Sequence, residues 1–272
     1  MVKNIFIIIF IVFGLNTEFL SQGNLLIYPK RVVFKESDNT QKINLVNSGE
    51  EPATYTVKFV QRRMNENGSF TEVNTPGPGQ NFADAHLRVY PRTVTLNGGE
   101  GQTVLLQRKR NSKMKPGEYR SHLSFINVPK QAPLDNTKKD SLNNNFSTKI
   151  TTIFGISIPV ILRYGAINVS VSINNTKLEP DNILSFSINR EGNTSIYGDF
   201  LIQYIPEEGK PFTVSEVKGI AVYTTIEKRN IRLKLNKLKN VNLTKGSIRI
   251  IFKAPSGTKQ EVFTEATLLL NS

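Results

Sequence analysis

Ile150-Thr151-Thr152-Ile153-Phe154-Gly155-Ile156-Ser157-Ile158-Pro159-Val160-Ile161-Leu162-Arg163 decides how the rest of this chain is read. From Phe154 to Leu162 a large apolar side chain occupies every second position, with Gly155, Ser157 and Pro159 falling between. A period of two belongs to a β-strand, whose alternate side chains point to opposite faces. Proline inside a strand forfeits a ladder hydrogen bond, which places such a strand at a sheet edge. Long apolar edges invite unwanted pairing and are normally avoided. A protein that keeps one is expected to use it for pairing with another chain.

Outward from this stretch, helical periodicity is nearly absent. Short alternating runs precede it: Lys30 to Phe34, Gln41 to Val46, Thr54 to Val60, Thr93 to Leu96, Thr103 to Gln107 and Tyr119 to Val128. Turn residues separate them, such as Asn47-Ser48-Gly49, Asn65-Glu66-Asn67-Gly68 and Pro116-Gly117. This spacing predicts an antiparallel β-sandwich. The glycine-rich Asn97-Gly98-Gly99-Glu100-Gly101 joins two such runs and reads as a hairpin turn. The polar, proline-bearing segment from Pro129 to Asn145 predicts a long mobile loop before the apolar strand. A second series of alternating runs, from Asn168 to Leu270, predicts a smaller sandwich. The expected organisation is therefore residues 22–164 and 165–272, two all-β domains held at an angle by the short join at Tyr164-Gly165.

Residues 1–21 are expected to stand outside the fold. Lys3 precedes an apolar run from Ile5 to Leu15, too short for a spanning helix, and a polar exit follows from Asn16. That order reads as a secretory signal peptide, with an uncleaved anchor as the alternative. No cysteine is present, which excludes disulfides, thiol catalysis and zinc–thiolate sites. Stability must then come from buried apolar area, which a chain of this length can supply.

Thirty-five basic against 22 acidic side chains leave a formal charge of +13, densest from Gln107 to Lys115. In an exported protein nucleic acid is not an expected partner. A solvated basic hairpin or an acidic protein partner accounts better for the excess. Only His86 and His122 are present, neither in a catalytic motif, and His122 falls within an alternating strand. Nucleophile-elbow, metalloprotease, phosphate-loop and EF-hand patterns are all missing from the sequence. An enzyme is disfavoured, and neither a cofactor nor a metal is expected.

Three blocks then carry a family resemblance. The first is Arg31-Val32-Val33-Phe34, followed by Ile43-Asn44-Leu45-Val46-Asn47-Ser48-Gly49. The second is Val89-Tyr90-Pro91-Arg92-Thr93-Val94-Thr95-Leu96 with Gly98-Gly99 and Gln102-Thr103-Val104. The third runs from Gly117-Glu118-Tyr119-Arg120 to Val128-Pro129. In this order, with the loop and strand that follow, they resemble the PapD-like periplasmic chaperones of chaperone–usher pili. The resemblance covers the first domain best; the second matches only in being all-β and of suitable length.

The resemblance implies two immunoglobulin-like domains and a periplasmic, ATP-independent role in fimbrial assembly. Members of that family lend their seventh strand to a pilin-type subunit that lacks its last one. The implied partners are pilin-like or surface-protein subunits and an outer-membrane usher. By alignment the lent side chains are Ile150, Thr152, Phe154 and Ile156. The family also anchors the subunit's terminal carboxylate with a first-strand arginine and a seventh-strand lysine. Arg31 matches the arginine, whereas the lysine position holds Pro159. Arg163 is the expected substitute, with Arg120 and Arg92 as weaker candidates. The departure at Pro159 keeps an alternative open: a stable accessory protein of an envelope secretion or adhesion complex, without strand donation.

Overall fold

A computed structural model describes residues 24–110, 113–129, 153–236, 243–259 and 261–270. The expected signal peptide over 1–21 and residues 130–145 of the expected loop lie outside the described residues. No α-helix occurs among the described residues. The first half runs through β1 (Leu25–Tyr28), β2 (Val32–Phe34), β3 (Thr40–Asn47), β4 (Ala53–Val60), β5 (Arg62–Met64) and β6 (Phe70–Glu72). It continues with β7 (Leu87–Tyr90), β8 (Thr93–Leu96), β9 (Gly101–Arg108), β10 (Gly117–Val128) and β11 (Gly155–Tyr164).

These strands form two sheets, ordered β1-β3-β9-β7 and β2-β11-β10-β4-β8. The order is that of an immunoglobulin sandwich, with early and middle strands in one sheet and the last two beside the fourth. Alternation decides which side chains meet between the sheets. Ile43 and Leu45 from β3, Val104 and Leu106 from β9, Leu123 and Phe125 from β10, and Val160 and Leu162 from β11 are buried in one core. Each such side chain contributes about 1.5–3 kcal/mol on leaving water. The turn at 97–101 does not close a hairpin, since β8 and β9 belong to opposite sheets. Here the chain crosses the sandwich, packed so closely that a Cβ on Gly98 would lie 2.2 Å from the Glu50 carbonyl oxygen.

The second half carries β12 (Val169–Glu179), β13 (Ile183–Gly192), β14 (Ile196–Ile205) and β15 (Phe212–Val222), then β16 (Lys228–Lys234), β17 (Ser247–Lys253) and β18 (Val262–Leu269). Its sheets are β12-β13-β16 and β15-β14-β17-β18. Phe186, Phe200 and Phe252 fill the centre, Phe200 stacking on Phe252 at 4.7 Å between centroids. No ladder joins the two sandwiches among the described residues. A small apolar cluster of Met64, Ile161, Ala221 and Tyr223 lies where they touch. The β5–β6 hairpin reaches across as well: the Asn230 main-chain N–H donates to the Glu66 carbonyl at 2.7 Å.

Candidate functional site

The chain steps from one sheet to the other between β1 and β2, through Pro29, Lys30 and Arg31. β1 pairs antiparallel with β3, whereas β2 pairs parallel with β11. This switch has a consequence for β11. One edge of β11 is paired with β10 along its whole length, from Gly155 opposite Ile126 to Tyr164 opposite Gly117. The other edge meets β2 only at Val160, Ile161 and Leu162. Residues 155–159 therefore have no neighbouring strand on that side among the described residues.

Apolar side chains cluster at this open stretch. Ile153 is 59%, Phe154 42% and Ile156 37% exposed, whereas Ile158 is 4% exposed. Phe154 and Ile156 share the face of Ile158, Val160 and Leu162 and extend it beyond the end of the core. With Leu25, Tyr55 and Phe125 they border a cavity of about 590 Å³ at that end of the sandwich. Ile150 and Thr152, also expected to be lent, lie outside the described residues.

The opposite face of β11 leads into a cleft between the sandwiches. Ser157 and Pro159 line a cavity of about 300 Å³ there, together with Arg31, Arg62, His122 and Arg229. Arg31 donates to the Tyr223 hydroxyl at 3.0 Å and to Ser195 Oγ at 3.3 Å, its guanidinium lying over the Tyr197 ring at 4.6 Å. Arg120 is buried behind it, 4.0 Å above the Tyr223 ring, and donates to the Arg62 carbonyl at 2.9 Å. Burial lowers the pKa of both Arg120 and Arg229. His122, edge-on to Phe70 at 5.2 Å, is pushed down to about 3, first by burial and then by Arg120, Arg62 and Arg31. Its imidazole is therefore neutral at physiological pH. Among the described residues no acidic side chain lines this cavity.

Arg163, expected as the second anchor, is held elsewhere. Its Nε donates to Glu118 Oε2 at 3.2 Å and its Nη2 to the Ser195 carbonyl at 2.8 Å. Glu118 is fully buried and also accepts from Ser195 N and Oγ. The charge of Arg163 is thus matched by Glu118, whereas among the described residues Arg31 bonds only to hydroxyls. Arg92 lies away from the cleft, bordering a separate cavity with Lys58 and Arg88.

Sequence reasoning missed Arg62, Arg229, Tyr197 and Tyr223 as parts of the cleft. Arg62 and Arg229 are 167 positions apart (229 − 62) and meet only because the β5–β6 hairpin reaches the second sandwich. The turn signal at 65–68 marked the hairpin, but not its destination.

No protein-family model matches the chain, and no curated protein matches it. Similar solved structures are chaperones. The YadV chaperone is 15% identical, covering 91% of this chain and 100% of its own, with a TM-score of 0.46. The chaperone–tip subunit complex CsuC–CsuE of archaic Csu pili from Acinetobacter baumannii is 11% identical, with 89% and 98% covered and a TM-score of 0.47. The Pseudomonas aeruginosa CupB2 chaperone is 12% identical, with 90% and 100% covered and a TM-score of 0.45.

Proposed function

We propose that this protein is a periplasmic, ATP-independent assembly chaperone that caps a pilus-type subunit by lending it the open edge of β11. The observation that carries this reading is the parallel pairing of Val32 with Val160. Because β2 begins there, the free edge at 155–159, preceded by the exposed Ile153 and Phe154, is a slot closed downstream by Arg31. Five strand residues span about 16 Å, enough to hold a short subunit strand.

The direction of that strand follows from charge. Running parallel to β11, as β2 does, it ends with its C terminus beside Arg31 and the cationic cavity. Running antiparallel, it brings an N-terminal ammonium against the same cations. The cleft therefore favours a terminal carboxylate, which Arg31 and Arg62 can bind through short, charge-assisted hydrogen bonds. The lysine missing at Pro159 is offset in this reading by Arg62, which comes from another strand. Arg163 becomes a positioning residue that holds the sandwiches together through Glu118. Upstream, Phe154 and Ile156, with Ile150 and Thr152 before them, supply the alternating side chains that complete the subunit's core.

Phe154→Asp and Arg31→Ala test the reading. Each variant is expected to fold, by circular dichroism, and to lose co-purification of a subunit from the native envelope fraction. Unchanged recovery from both overturns the proposal. A stoichiometric complex that survives Phe154→Asp points instead to a permanent accessory protein.

A further inference from the structure

The cationic cavity is over-supplied with charge for a single carboxylate. Arg31, Arg62, Arg229 and Lys30 line it, and Arg120 is buried beside it. Among the described residues, every hydrogen-bond partner of these guanidinium groups is neutral. Arg31 bonds to two hydroxyls, Arg120 to the Arg62 carbonyl, and Arg229 Nη1 to the Ala221 carbonyl at 2.6 Å. The Arg229 Nε atom is buried without a hydrogen-bond partner. The nearby carboxylate of Glu118 is engaged by Arg163 and Ser195 through Oε2, while its Oε1 is buried without a hydrogen-bond partner. Arg120 has the Glu118 carboxylate as a nearby counter-charge, but the partly buried Arg31, Arg62 and Arg229 have no acidic residue among the described lining of the cavity, so the arrangement favours a bound anion.

The demand exceeds one charge, and the space exceeds one group. A cavity of about 300 Å³ is several times the volume of one carboxylate. Arg31 and Arg229 also approach from different sandwiches. Arg229 is fixed by Ala221 and by the hairpin tip, where a Cβ on Gly68 would lie 2.3 Å from its Nη2 atom. Two separated cationic walls suit two anionic groups better than one.

Resting on the carboxylate reading above, we infer that the captured terminus is dianionic: its last or next-to-last residue is Asp or Glu. The main-chain carboxylate meets Arg31 and Arg62, and the acidic side chain turns toward Arg229. This narrows the client to subunits with an acidic C-terminal residue. It also gives Arg229, in the second sandwich, a part in client choice.

Labelled decapeptides with alternating isoleucine and serine, differing only in a final Asp, Asn or Asn-amide, separate the two claims. Binding to the full chain is read by fluorescence anisotropy at low salt. The Asp peptide is expected to bind about tenfold or more tighter than the Asn peptide, the scale of one charged hydrogen bond. Arg229→Gln should remove that gap while leaving the Asn peptide unchanged. A gap under about threefold, including no binding by either peptide, overturns the inference. Equal Asp and Asn affinities that both vanish on amidation overturn it while leaving the carboxylate anchor intact. Indifference to amidation overturns both.

Discussion

Glu118, on β10 of the first sandwich, accepts hydrogen bonds from both the main-chain nitrogen and the hydroxyl of Ser195 in the second, at 3.0 and 2.8 Å. The same carboxylate oxygen takes Arg163 Nε, and Ser195 Oγ in turn accepts from Arg31. One buried acid thus links the residue at the mouth of the cleft to the hinge of the two sandwiches. Arg31 keeps its place through neutral hydroxyls, so its charge stays available to a ligand.

Replacing Glu118 by Gln removes the charge that Arg163 needs. Breaking a buried pair on one side is strongly destabilising, though Arg163 is 27% exposed and water softens the loss. A cost of about 2–3 kcal/mol is expected, and the sandwiches should uncouple. Calorimetry would show the melt broadening or splitting into two transitions. A single transition at the original temperature would contradict the linking role.

Ile156 and Ile158 share a face but should respond in opposite ways. Ile158 is buried in the first core, so Ile158→Ala should cost about 2–4 kcal/mol in a denaturant melt. Ile156 is 37% exposed beside the open edge, so Ile156→Asp should leave stability within about 1 kcal/mol. Its effect is expected in subunit capture instead. Matching stability losses at both positions would show that the edge is sealed by its own molecule.

His122 makes stability pH-dependent with a definite sign. Its folded pKa of about 3 lies below the ordinary 6.5, so the unfolded chain takes up the proton first as pH falls. Its contribution is fully present above about pH 6.5 and is lost progressively down to about pH 3. Between pH 7 and 4.5 the loss is about 2–3 kcal/mol. Urea melts across this range should show His122→Asn losing less stability on acidification than the parent. Parallel pH profiles would refute the assignment.

Gly68 adopts φ +84° at the tip of the β5–β6 hairpin, against Arg229. Gly68→Ala meets both the left-handed backbone and the guanidinium, which is tied to Ala221. A loss of about 1–2 kcal/mol is expected, with weaker binding of peptides that end in Asp. Unaltered peptide affinity would detach the hairpin from the cleft.

The all-β class was legible because a period of two is a local property, visible wherever apolar side chains face one core. Thr93–Leu96 is read at its observed bounds, and the Gln41–Val46 run grows by one residue at each end. Short strands escaped. Leu25–Tyr28 ends at a proline, and Arg62–Met64 with Phe70–Glu72 offers too few residues for a pattern. The turn at 97–101 was misjudged because turn chemistry reports a reversal, not the sheet that the next strand joins.

From residues alone came the sandwich class, the apolar strand, observed at Gly155–Tyr164, and Arg31 as a candidate, each written in a contiguous run with its own periodicity or motif. Tertiary structure alone decided that this strand's edge is open only upstream of Val160, that Arg163 belongs to Glu118, and that Arg62, Arg120 and Arg229 converge on Arg31. Strand patterning depends on neighbours two positions away. An edge's partners and a cation's counter-charge depend on side chains that are distant in the chain and adjacent only after two sandwiches have packed together.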